Sequence, residues 1–66
     1  MDYIVYEKAN PLAIHAICHS EESAKQWISE LAPKYCARGY FDNKALTPDS
    51  FAIGMTFGKF LVHEPL

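Results

Sequence analysis

Sixty-six residues make one domain, because a second would fall below the size at which an unstapled chain buries a core. Half the residues are apolar, 14% are aromatic, only 21% are charged, and the four Pro and three Gly are scattered, which excludes disorder and collagen-like architectures. Eight acidic against six basic residues give a net charge of −2, too negative for the chain as a whole to condense on nucleic acid or anionic lipid. Ordering so short a chain costs on the order of 100 kcal/mol, which apolar burial only just offsets, so a protein partner or a homodimer contact is expected.

Tyr3-Ile4-Val5-Tyr6 and the run from Leu12 to His19 are rich in β-branched and aromatic residues, and Asn10-Pro11 between them carries turn chemistry, so the two runs form a hairpin. Strict alternation sets Tyr3 and Val5 on one face with Ile14, Ala16 and Cys18. Ile4, Tyr6, His15, Ile17 and His19 then share the other face. Ser20-Glu21-Glu22 opens a helix, with the Ser hydroxyl accepting from a free N–H of the first turn and two carboxylates at the positive end of the dipole. Ala24, Trp27, Ile28 and Leu31 recur at the spacing of a stripe that packs on a sheet. Pro33 is expected to end or kink that helix near Ala32, with Tyr35, Cys36 and Arg38 continuing as a short second turn that Gly39 closes.

Thr47-Pro48-Asp49-Ser50 reads as a tight turn or a helix cap. Phe51, Ile53, Met55 and Phe57 alternate with smaller residues, the period of a strand. A two-residue turn at Gly58-Lys59 would set Phe57 opposite Phe60 and Met55 opposite Val62, giving one apolar surface from Phe51 to Val62 that faces Trp27. Residues 1–66 are thus expected to form a single α+β domain in the order β-β-α-β-β, an antiparallel sheet with one helix packed on one face.

The longest apolar run is only a few residues, so neither a transmembrane helix nor a signal peptide is expected. Cys18 and Cys36 are too few for a disulfide framework and read as core thiols of a reducing, cytoplasmic compartment. His15, Cys18, His19, Cys36 and His63 include metal-ligand types, but adjacent Cys18 and His19 point to opposite faces of a strand, so no metal site is expected. Glu21 and Glu22 diverge around the helix and cannot converge on one substrate atom, and no glycine-rich loop cradles a phosphate. The chain is therefore expected to lack catalytic groups and cofactors.

Charge placement is uneven: residues 33–44 carry +2 while residues 1–32 carry −3. There Lys34, Arg38 and Lys44 interleave with Tyr35, Tyr40 and Phe41, the composition of a surface that anchors on a protein partner. A second surface, with Ile4, Tyr6 and Ile17 at its centre and His15 and His19 at its rim, is more apolar than a solvated sheet face needs and reads as a self-association patch. The expected function is a non-catalytic adaptor or inhibitor that docks on a larger protein. An inhibitor of a host defence complex encoded by a phage or mobile element is one concrete form. Weak nucleic-acid binding through the Lys34 to Lys44 segment is the alternative, and a metal- or thiol-dependent enzyme is a third and weaker one.

Overall fold

A computed structural model describes residues 2–56 and 63–65 of the chain. Strands β1 (Asp2–Glu7), β2 (Asn10–Cys18), β3 (Phe51–Thr56) and β4 (His63–Pro65) form one antiparallel sheet in the order β2-β1-β3-β4. Helix α1 (Glu21–Gln26) runs through a π-helical turn (Trp27–Leu31) into α2 (Ala32–Ala37), making a single helix of 17 residues on one face. This is the α+β arrangement expected from the sequence pattern. No helix among the described residues is long and apolar enough to cross a membrane.

Both ends of the helix follow from local chemistry. Ser20, in an extended conformation, accepts the Ser23 N–H on its Oγ at 3.1 Å, and Glu21 and Glu22 occupy the first turn. At the other end Gly39 takes a φ of +65°, the Gly39 N–H donates to the Cys36 carbonyl at 3.1 Å, and the Tyr40 N–H donates to the Tyr35 carbonyl at 2.9 Å. That pair of bonds is a Schellman closure, which a residue without a Cβ adopts at least cost.

Pro33 neither ends the helix nor limits it to Ala32. A proline has no N–H to give and its ring presses on the carbonyl four residues back, here Ser29. The turn before it widens instead: the Ala32 N–H reaches five residues back to the Trp27 carbonyl, and the Ser29 hydroxyl donates to the Gln26 carbonyl at 3.2 Å. The inserted residue also shifts the phase of the apolar stripe. Ala32 is fully buried where four-residue spacing would have placed Leu31, which is exposed.

The hairpin departs from strict alternation in a way that matters for the site. Its turn is Lys8-Ala9, and Asn10-Pro11 instead begin β2, an edge strand that tolerates a missing N–H. Tyr3 pairs with Cys18, Ile4 with Ile17 and Val5 with Ala16, but Tyr6 then pairs with Ile14. His15 is the extra residue of a β-bulge, so it turns to the helix side of the sheet and Ile14 to the other. Nine residues of β2 lie against six of β1, and the surplus is taken up at the two register shifts. In β4, Met55 is opposite Glu64, so it does not pair with Val62. The expected turn at Gly58-Lys59 and the partners Phe57, Phe60 and Val62 lie outside the described residues.

The core on the helix side joins Val5, Ala24, Ala32, Phe41 and Phe51, flanked by Trp27, Ile28, Tyr35, Leu46 and Ile53. On the opposite face Ile4 is 0% and Tyr6 6% exposed, so these two side chains are core and do not present the open apolar surface expected of them. Ile17, 56% exposed, remains on the surface. Lys8 N–H donates to the Ser50 carbonyl at 2.9 Å, tying the hairpin to the 3-10 turn (Pro48–Ser50) that leads into β3.

Two substitutions test this account. Phe51→Ala should lower unfolding free energy by about 3 to 5 kcal/mol in urea denaturation, since it empties the middle of the core. Gly39→Ala should lower it by about 1 kcal/mol through backbone strain alone, because a Cβ there meets nothing closer than Lys44 Nζ at 3.6 Å. An unchanged urea midpoint for either variant would contradict the corresponding packing or capping argument.

Candidate functional site

The bulge brings His15 beside the last residue of β1. His15 Nε2 lies 2.8 Å from Glu7 Oε2, with both side chains about four-fifths buried. An ionised carboxylate can only accept, so Nε2 is the donor in this contact. The imidazole is walled by rings: Phe41 and Phe51 meet it edge-to-face, each at 5.1 Å between centroids, and Trp27 lies at 6.4 Å. A polar ring in such surroundings needs a hydrogen-bond partner, and Glu7 supplies it.

The segment after the helix closes over this pair. Asn43 Oδ1 accepts the Ala45 N–H at 3.0 Å and the Asn43 carbonyl accepts the Leu46 N–H at 3.3 Å, a side-chain-supported turn. Between this turn and the sheet lies a groove of about 560 Å³. Glu7 and His15 line its sheet side, and Tyr40, Phe41, Asp42, Asn43 and Leu46 line the other. The Asp42 side chain is exposed and makes no hydrogen bond or ion pair among the described residues. A smaller neighbouring pocket of about 70 Å³ includes Lys44, whose ammonium donates to the Gly39 carbonyl at the helix end.

The residues expected to meet a partner are distributed unevenly around the groove. Lys34 and Arg38 are exposed, one turn apart on the end of the helix, with no ion pair among the described residues. Tyr40 is 70% exposed and its ring stacks on half-buried Tyr35 at 4.9 Å and 31°. Phe41 is different: at 7% exposure, with contacts to His15, Tyr35 and Phe51, it is a core residue and not a surface anchor. The alternation of Tyr40 outward and Phe41 inward is set by the turn at Gly39.

The proposed self-association residues do not form one patch. His15 faces the helix side, Ile4 and Tyr6 are buried, and His19 lies at the exposed strand end with Nδ1 3.3 Å from Asp2 Oδ1. Sequence reasoning missed Glu7, Asp42, Asn43 and Leu46 as groove residues. No local sequence signal marks them, because the groove depends on the bulge at His15, which is seen only in the register of β1 against β2.

Cys18 and Cys36 are free and half-buried, and burial raises the Cys18 pKa above that of an ordinary thiol. Among the described residues no three His, Cys, Asp or Glu side chains gather as a metal-binding group. No protein-family profile, curated protein or solved structure matches the chain.

The Glu7 and His15 side chains should be energetically coupled. A double-mutant cycle with Glu7→Gln and His15→Phe should return an interaction of about 1 kcal/mol in unfolding free energy, and additivity of the two changes would show that the contact contributes nothing. The raised Cys18 pKa leaves less thiolate at pH 8, so iodoacetamide should alkylate Cys18 more slowly than a cysteine in an unstructured peptide. Equal rates, read by peptide mass spectrometry, would contradict the burial argument.

Proposed function

We propose that the chain is a small protein-binding module, an adaptor or inhibitor that docks on a larger protein through the corner formed by Lys34, Arg38 and Tyr40. The observation that carries this reading is Tyr40: its ring is 70% exposed yet braced by Tyr35, 4.9 Å away, and by Phe41 at 5.7 Å. An aromatic already held in place loses little freedom on binding, and a Tyr beside an Arg is the pairing that dominates typical interface energies. Lys34 adds a charge that accelerates encounter with a partner without deciding the strength of the complex. An inhibitor of a host defence complex, carried by a phage or mobile element, is the concrete form this reading takes.

Nucleic-acid binding would use the same exposed ring and the same cations. The groove beside Tyr40 counts against it, because Glu7 and Asp42 line that groove and share the sign of a phosphate backbone. For self-association, Ile17 is the one of Ile4, Tyr6 and Ile17 that stays exposed.

Tyr40→Ala should weaken a complex with a captured protein partner by about 2 kcal/mol at low and high salt alike, measured by surface plasmon resonance. Lys34→Ala should slow association at low ionic strength and leave dissociation unchanged. A steep loss of affinity with salt, shared equally by Lys34, Arg38 and Lys44 variants, would instead favour nucleic acid. Full affinity in a folded Tyr40→Ala protein would remove this corner from the interface.

A further inference from the structure

We propose that the groove between the sheet and the Asp42–Leu46 turn receives a cationic side chain, the ammonium of a lysine or the guanidinium of an arginine carried by the docking partner. The proposal rests on the docking reading above and names the chemistry that its groove selects.

Three observations converge on a cation. The groove has a volume of about 560 Å³, within the ~300–1,000 Å³ range of sites that hold organic groups. Its ionised lining is acidic: the carboxylates of Glu7 and Asp42 border it, and among the described residues no Lys or Arg does. Lys44, the nearest cation in sequence, donates its ammonium proton to the Gly39 carbonyl and borders the smaller pocket next door.

The walls supply the second requirement. Tyr40 lies against Tyr35 with the rings tilted by 31°, and Phe41 is held by edge contacts with His15 and Tyr40. A long alkyl stem therefore has Leu46 and two rings to lie against while its charged head reaches the carboxylates. Glu7 already has one oxygen engaged by His15, which fixes its carboxylate at the sheet side of the groove. Asp42 has no partner among the described residues, so a cation meeting it displaces nothing but water. An anionic ligand would face both carboxylates, and a purely apolar one would desolvate Asp42 without pairing it.

The test uses capped pentapeptides of the form Gly-Gly-X-Gly-Gly, with X as lysine, arginine, norleucine or glutamate, titrated into the full chain and followed by amide chemical shifts. The lysine and arginine peptides should shift Tyr40, Asp42 and Leu46 and bind at least about five-fold more tightly than the norleucine peptide, with the glutamate peptide weakest. Asp42→Asn, at an exposed and unpaired position, should keep the fold and reduce that preference to less than about two-fold. Equal binding of the lysine and norleucine peptides, tighter binding of the glutamate peptide, no shifts in the groove, or an unchanged preference in Asp42→Asn would each overturn the proposal. The Tyr40→Ala measurement against a captured protein separates the two ideas. Loss of that complex without lysine selectivity removes only the cation, whereas lysine selectivity in a chain whose Tyr40→Ala variant still docks keeps the cation site and removes the proposed corner.

Discussion

The ring of Phe51 is the contact on which the rest of the molecule depends. It meets Trp27 of the helix at 5.3 Å, His15 of β2 at 5.1 Å and Phe41 of the segment after the helix at 5.4 Å, two of these edge-to-face. Four stretches of chain that are distant in sequence thus share one ring. Edge-to-face pairs favour a limited range of separations and tilts. Setting Phe51 therefore sets the height of the helix over the sheet. Because Phe51 is also the partner of Glu7 across β1 and β3, the same contact determines which carboxylate stands beside the groove.

The bulge at His15 follows from a conflict that this cluster creates. With strict alternation, Ile14 would point at the helix and the imidazole away from it. The bulge reverses both, at the cost of interrupted ladder bonds and a polar ring among aromatics. What offsets the cost is the 2.8 Å bond to Glu7 together with two edge contacts, and Ile14 joins Tyr6 on the other face, where Tyr6 is buried. The pair and the bulge are thus mutually dependent: without the bulge His15 cannot reach Glu7, and without Glu7 the bulged ring would be an unsatisfied polar group.

Features governed by neighbours in sequence were legible from sequence alone. The Ser20 cap, the closure at Gly39 and the strand beginning at Phe51 each depend on a few adjacent residues with well-defined preferences. At Pro33 the local rule has two outcomes, ending the helix or distorting it while it runs on. Burial of Ala32 and Tyr35 against the sheet favours the second. Phe41 and Tyr40 are adjacent aromatics that sequence alone does not tell apart, and the turn at Gly39 separates them. The groove was invisible for a deeper reason. Its sheet side and its turn side are about thirty residues apart, and they meet only once the bulge, the helix phase and the Phe51 cluster are all in place.

The turn at Gly39 is where folding and recognition become one problem. Its positive φ lets the Tyr40 N–H reach back to Tyr35, and that bond orients the chain so that successive aromatic side chains leave on opposite sides. Phe41 enters the core and Tyr40 is left outside, stacked on the Tyr35 ring whose carbonyl its own backbone caps. Lys44 then returns to the same glycine and neutralises the negative end of the helix, so its charge is spent on the fold and is absent from the groove. The result is a division of labour by position. Lys34 and Arg38 face outward from the helix, where they act on an approaching partner, while Glu7 and Asp42 border the recess beside Tyr40, where they act on a group that enters it.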